Sequence, residues 1–392
     1  MKQWAGRVVS AAAVAILFLT TGCAGFFVYP GSLPGGGSGT GTEFVYVINQ
    51  AAGQTTGTLA GYSIGTNTLT AVTGSPQNLS FIPVAIAVNH ANTMVFVAGN
   101  NVIDTFAIGS GGALSLLNAN TLTADEAAID ISPDGQWLLA LESTTLTFQN
   151  EARIDEFQIN SSGQLSQPSL NPVVFYTLVA GQGTIVPSAI KFAPANASGQ
   201  LVFVALGTAG DLVYTFTTSS GALPTTGPSQ TIPVPNSSTA DLALAVSPNG
   251  STVYFARSSG TTGSVVAAYA ISGTTVTAVS GTSASAGDRP SAVVVNTTGT
   301  DVYVANELSG SGTITGYSGA ATGNLTALSL SPYSVSYPTA LAVDHSGAYL
   351  LAVSSTTSVN NLNMYSFDSS ANLVSSTSLN TGSLPVGLAA TY

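Results

Sequence analysis

Charge is what this chain has least of. Of 392 residues only 6% are Asp, Glu, Lys or Arg, against roughly 25% in ordinary soluble domains. Six basic residues in the whole chain cannot build a phosphate-tracking stripe, which excludes nucleic acid as a partner and disfavours anionic lipid surfaces. One cysteine, Cys23, allows no disulfide within the chain. Two histidines leave little room for His-based metal or triad chemistry. Beyond the N-terminus no run of the roughly 20 apolar residues a membrane span needs occurs, nor a convincing 3.6-residue period. What is abundant is glycine (42 residues) within a chain that is 45% hydrophobic. Apolar residues so evenly spread exclude disorder and can bury a large core. Length alone suggests two or three domains, but an all-β ring of this size can be one.

The N-terminus reads as an address. Lys2 and Arg7 precede the apolar stretch from Val8 to Thr20, too short to span a membrane and right for a secretory signal. It ends in Leu19-Thr20-Thr21-Gly22-Cys23, a lipobox-like sequence with its leucine one place early. The expected organisation is a lipoprotein signal peptide over 1–22, a lipidated Cys23 with a Gly/Ser/Pro tether to residue 43, and one domain over 44–392. Two or more acyl chains suffice for stable anchoring, so the only expected membrane contact is the anchor, with the protein in the cell envelope.

From Phe44 the chain repeats. A short apolar strand opens at Pro83, Glu126, Pro187, Asp241, Pro290, Pro338 and Pro385, at a mean spacing near 50. A second apolar strand follows, as in VFVAGN at Val95 and VYVANE at Val302. A third carries an aromatic (Tyr62, Phe106, Phe157, Phe216, Tyr269, Tyr317, Tyr365), and a fourth starts 7 or 8 residues later. Four short strands recurring seven times predict an all-β, seven-bladed propeller of four-stranded antiparallel blades. Because the chain enters at a second strand and leaves after a first, the C-terminal strand should complete the N-terminal blade and close the ring. Asp130 and Lys191 break the apolar pattern in adjacent repeats and are expected to pair.

Loop lengths distinguish the two ends of such a ring. From the opening residue to the middle of the second strand is 13 residues in five of six unbroken repeats, whereas second-to-third-strand intervals run from 10 to 18 and fourth-to-first from 12 to 22. Variable loops on a rigid scaffold are where binding usually resides. Asp125, Glu126, Asp288 and Arg289 fall at that variable end, as do Glu142, Glu151, Arg153, Arg257 and Glu307. Glu126, Glu142, Arg153, Arg257, Arg289 and Glu307 are the candidate catalytic set. A carboxylate–Arg pair can hold a substrate and polarise a lactone carbonyl, with a Glu as base towards water; rim salt bridges are the plain alternative. The longest connection contains Val173, Val174, Phe175 and Tyr176, apolar enough to form a lid over the channel or to cover a blade edge.

Other motifs dissolve on inspection. Gly61-Tyr62-Ser63-Ile64-Gly65 has the G-x-S-x-G spacing of a nucleophile elbow, but it lies inside a repeat strand rather than at a strand-to-helix turn. His90 and His345 fall in the turns of the constant end. Asp130, Asp134 and Gly135 lack the spacing of a calcium loop. No cofactor is expected, a weak structural calcium ion being the one metal left open.

With VYVAN at Val302, GYSI at Gly61, SPDG at Ser132 and the Gly-x-Leu step at Gly112, Gly163, Gly221 and Gly323, residues 44–392 resemble the seven-bladed lactonase-type propellers. That family includes the propeller 6-phosphogluconolactonases and the YVTN-repeat surface proteins. The resemblance implies the fold, and an activity that family members assign to His, Arg and Glu at the channel mouth; here no histidine maps to that end. It leaves two functional expectations. One is a monomeric lactonase-like hydrolase acting on a small lactone or sugar derivative. The other is a non-catalytic scaffold binding a surface protein or glycan.

Overall fold

The computed structural model describes residues 42–50, 53–143, 150–167, 173–178, 183–194, 199–259, 263–279, 284–307, 312–357 and 360–392. The signal stretch, Cys23 and nearly all of the tether lie outside the described residues. Within them the chain is all β, apart from two short 3-10 turns at Ser110–Gly112 and Ala320–Thr322.

The strands form because apolar residues run through them on both faces, the pattern of a strand with a neighbour above and below. In Trp137–Glu142 every residue is buried. Leu138 and Ala140 pack towards the preceding sheet, while Leu139 and Leu141 pack towards the following one. The core is therefore a series of layers between sheets.

Six antiparallel sheets are present among the described residues. Five are four-strand meanders, three of them with the outermost strand in two pieces. The sixth has nine strands: a meander from Ile185–Phe192 to Gln230–Ile232 joins a second from Ala240–Val246 to Ala284–Ser285 through one residue pair, Gly207 with Asp241. The innermost strands follow one another round an axis: Pro83–Val88, Glu126–Ile131, Ile185–Phe192, Ala240–Val246, Pro290–Val295, Pro338–Val343 and Pro385–Ala390, which returns to Pro83–Val88. The last of these pairs with Glu43–Gln50, Val47 opposite Leu388. The C-terminal strand thus closes the ring and leaves no open inner edge.

Neighbouring sheets are clasped by a repeated device. The Tyr46 hydroxyl donates to the Gly112 carbonyl at 2.9 Å and the Trp137 indole to the Thr218 carbonyl at 2.9 Å. Tyr254 and Tyr303 reach Ala320 and Ala371 in the same way. This explains the Gly-x-Leu step. Gly112 and Gly221 adopt φ of 78° and 66°, and a Cβ would stand 2.3 Å from Phe44 and 2.0 Å from Trp137 respectively. Only glycine satisfies both the turn and the approach.

Two local expectations have clear outcomes. Lys191 Nζ lies 3.0 Å from Asp130 Oδ1, and the Phe192 amide donates to Asp130 Oδ2 at 2.8 Å, so the two exceptions to the apolar pattern do pair. The segment Val173–Thr177 is no lid. It runs antiparallel to Glu151–Ile159 along the outside of that strand, with Phe175 opposite Arg153, and so covers a blade edge. An unpaired strand edge is a stronger sink for backbone hydrogen bonds than a solvent-facing flap.

Candidate functional site

In each repeat a pair at or next to the start of the innermost strand and the end of the second strand is followed at once by a register shift. The pairs Pro83–Gly99, Pro290–Asn306, Pro338–Ser354 and Pro385–Asn49 carry no charge. Two pairs depart from this: Glu126 stands opposite Glu142, and Asp241 opposite Arg257. A bulge at such a position turns side chains out of the regular alternation, as bulges beside functional sites commonly do.

Around Glu126 the charges accumulate. Leu141 pairs with Ile154, which sets Arg153 beside Glu142, and Arg153 Nη1 lies 3.2 Å from Glu142 Oε2. Asp155, two residues along the same strand, shares that face by the two-residue period. Glu126 is 1% exposed, and neither carboxyl oxygen has a donor. Burial, then the charges of Asp155, Glu142 and Asp125, push its pKa well above the carboxylate range. Asp155 is pushed up to about 7 by burial and by Glu142, with Arg153 opposing. Glu142 is also raised by burial against the pull of Arg153. One oxygen each of Asp125 and Asp155 is buried without a donor. Arg153 thus acts on Glu142 and Asp155, whereas the charges acting on Glu126 are all negative.

The second exception is better satisfied. Arg257 Nε and Nη2 donate to the two oxygens of Asp241 at 2.8 and 2.7 Å, and Nη2 lies 3.4 Å from the Tyr269 hydroxyl. Burial opposes the charge on Arg257, but Asp241 outweighs it and raises its pKa. Asp211, buried and with no donor to either oxygen, faces Asp241. Burial and that neighbouring carboxylate push its pKa well up; a proton on Asp211 converts a repulsive contact into a hydrogen bond.

Arg289 and Glu307 form a third, looser pair at 3.9 Å, with the arginine side chain 46% exposed. The six candidates thus divide among three sheets. Glu126, Glu142 and Arg153 come together; Arg257 stands apart with Asp241, and Arg289 apart with Glu307. Asp155 and Asp211 were missed as site residues. Asp155 was legible in principle, because the spacing Arg-x-Asp on a strand places both side chains on one face.

At the opposite end His90 stacks on Tyr392 with ring centroids 4.0 Å apart. Burial lowers its pKa to about 4, against the pull of Asp134, so the imidazole is neutral. With Asp130, Lys191 and Phe192 these rings line a cavity of about 30 Å³, room for water but not for a sugar.

A ring of antiparallel sheets closed by its C-terminal strand, with buried charges at one end of two inner strands, defines a β-propeller. Solved structures share this fold. A protein proposed to be a 6-phosphogluconolactonase from Bacteroides uniformis superposes with a TM-score of 0.73 at 15% identity, covering 89% of this chain and 99% of that one. A second, from Bacteroides fragilis, gives 0.68 at 16% identity over 91% and 99%. The periplasmic gluconolactonase of Pseudomonas aeruginosa gives 0.68 at 16% identity over 89% and 99%. The sequence matches no protein-family model and no curated protein.

Proposed function

We propose that this chain is an exported seven-bladed propeller, lipid-anchored at Cys23, that hydrolyses a small lactone or sugar derivative at the end of the ring bearing Glu126 and Arg153. The succession of innermost strands round the axis supports the blade count. Structural neighbours named for lactone hydrolysis support the substrate class, and a periplasmic one supports export.

The observation that carries the reading is a buried carboxyl, Asp155, on the strand face that also holds Arg153, where burial and Glu142 push its pKa up to about 7. A base acts best when its pKa lies near the working pH. Asp155 takes a proton from water as the oxygen attacks the lactone carbonyl. Arg153 stabilises the charge that develops on the carbonyl oxygen. The ring C–O bond then breaks, and the proton passes to the ring oxygen as it leaves. Glu126 and Glu142 position the substrate and the guanidinium.

Turnover of a lactone panel that includes glucono-δ-lactone tests this on the intact chain. Asp155→Asn should lower kcat by about 100-fold or more, the usual contribution of a general base, and wild-type kcat should rise with pH through about 7. Absence of turnover across the panel would refute it. It would favour a scaffold that binds a protein or glycan, a reading supported by Arg153, Arg257 and Arg289 each being held by a carboxylate in a different sheet.

A further inference from the structure

The group of carboxyls at the end of Glu126–Ile131 has a charge balance that selects its ligand. The charges acting on Glu126 are those of Asp155, Glu142 and Asp125, all negative, and Arg153 on the neighbouring strand is paired with Glu142. An acid-rich corner alone would say little. The informative group is Glu126: 1% exposed, on the innermost strand, with two oxygens that no donor reaches. A buried carboxyl normally finds partners, and one left without any is a place where a donor belongs. Asp125 and Asp155 each offer one further buried oxygen in the same condition.

What donor fits follows by elimination. A sugar phosphate or a free carboxylate adds negative charge to a site already short of cations. Among the described residues no three acidic, histidine or cysteine side chains stand together as the ligands of a metal ion, so a donor that needs only the two oxygens of Glu126 fits better than an ion that needs a full shell. A primary ammonium group on a small molecule carries the missing charge and offers three N–H donors that diverge.

We propose that this site binds the protonated amine of an amino sugar or similar small cationic molecule, held by the two oxygens of Glu126 with the charge of Asp125 beside it, while Asp155 stays available as the base and Arg153 and Glu142 remain paired. This names the substrate class for the site above and rests on the reading that this end of the ring takes a small molecule. Burial and the neighbouring carboxylates favour the protonated form of Glu126, so an arriving ammonium should release that proton to solvent and bind more tightly as pH rises.

Calorimetric titration of the intact chain at pH 7.5 with four sugars provides the test: glucosamine, glucose, N-acetylglucosamine and glucose 6-phosphate. Glucosamine should bind at least 10-fold more tightly than glucose. N-acetylglucosamine, its amine capped, should fall to the level of glucose, and the phosphate should bind most weakly. Repeating the glucosamine titration in buffers of different ionisation enthalpy should reveal net proton release. Glu126→Gln should remove both the release and the 10-fold gain, with Asp125→Asn as the second variant, expected to weaken the gain, should the first fold poorly. Arg153→Gln should leave the gain in place or enlarge it. Equal affinity for glucosamine and glucose, preference for the phosphate, or a gain that survives Glu126→Gln would overturn the proposal. Amine-selective binding without lactone turnover supports the cation site and sinks the hydrolase reading instead. Lactone turnover with no preference for the amine does the reverse.

Discussion

Removing the charge of Glu156 should change how stability depends on pH. Glu156 is fully buried between two sheets; one oxygen accepts from the Leu223 amide of the next sheet, and the other has no donor. Burial, and to a smaller extent Asp155, push its pKa up to about 7 despite the amide. Asp155 is also raised to about 7, and Asp104 to about 6, both chiefly by burial. A carboxyl whose pKa is higher folded than unfolded binds more protons in the folded state. Its contribution is then fully favourable at low pH and is lost as the unfolded chain ionises, between pH of about 4 and the folded value. Each such group costs about 1.4 kcal/mol per pH unit across that window. For Glu156 the span from 4.5 to about 7 caps the effect at about 3 kcal/mol. Glu156→Gln keeps an acceptor for Leu223 and removes the titration. The variant should match wild type near pH 4.5 and exceed it by up to about 3 kcal/mol at pH 7.5, read from denaturant midpoints across the range. A wild-type stability that rises from pH 5 to 7, or a variant whose pH slope runs parallel to wild type, would refute the reasoning.

Three further outcomes follow from the packing. Tyr46→Phe removes the hydroxyl that bridges to Gly112 and should cost about 1 kcal/mol in chemical denaturation, with the fold intact. Gly221→Ala puts a methyl against the Trp137 ring at a position with φ of 66°. A loss of about 1–3 kcal/mol from overpacking should accompany a shift in tryptophan emission. Arg257→Ala strands the carboxylate of Asp241, whose side chain is 0% exposed, at a cost of about 3–5 kcal/mol. Arg289→Ala, at an open pair, should cost under about 1 kcal/mol; comparable melting losses for the two would contradict their contrast in burial.

Much of the ring was readable because a propeller repeats its instructions. The apolar openings from Pro83 to Pro385 became the innermost strands, and the incomplete first repeat announced the closing strand. Asp130 and Lys191 were found because a charge in an apolar pattern must be neutralised by something nearby, and the adjacent repeat offered one opposite charge. The fate of Val173–Thr177 was less legible, since a lid and an edge strand share one composition; the free edge of Glu151–Ile159 decided it. The division of the arginines was hidden for another reason. Sequence places Arg153, Arg257 and Arg289 at the same end of the ring, but their separation round the axis depends on which sheet each belongs to, and each finds a carboxylate within its own sheet before it can reach another. Asp155 and Asp211 went unnoticed because each stands among strand residues whose role as core was already accounted for.

The two charged exceptions among the strand-opening pairs differ in how completely they are satisfied, and that difference bears on function. Asp241 and Arg257 match, two oxygens to two N–H groups, and one proton on Asp211 completes the set. A fold gains little net stability from such a pair but loses much when one partner goes, as befits a lock between the two meanders that meet at Asp241. The Glu126 group has no such closure. Arg153 and Glu142 form an ion pair through Nη1, and buried oxygens of Glu126, Asp125 and Asp155 remain without donors. Four other repeats fill the same position with a proline opposite an uncharged residue, so the ring does not need charge there to close. In a chain so sparing of charge, buried carboxyl oxygens without donors at a position the fold could leave neutral are the ground for proposing a cationic ligand there.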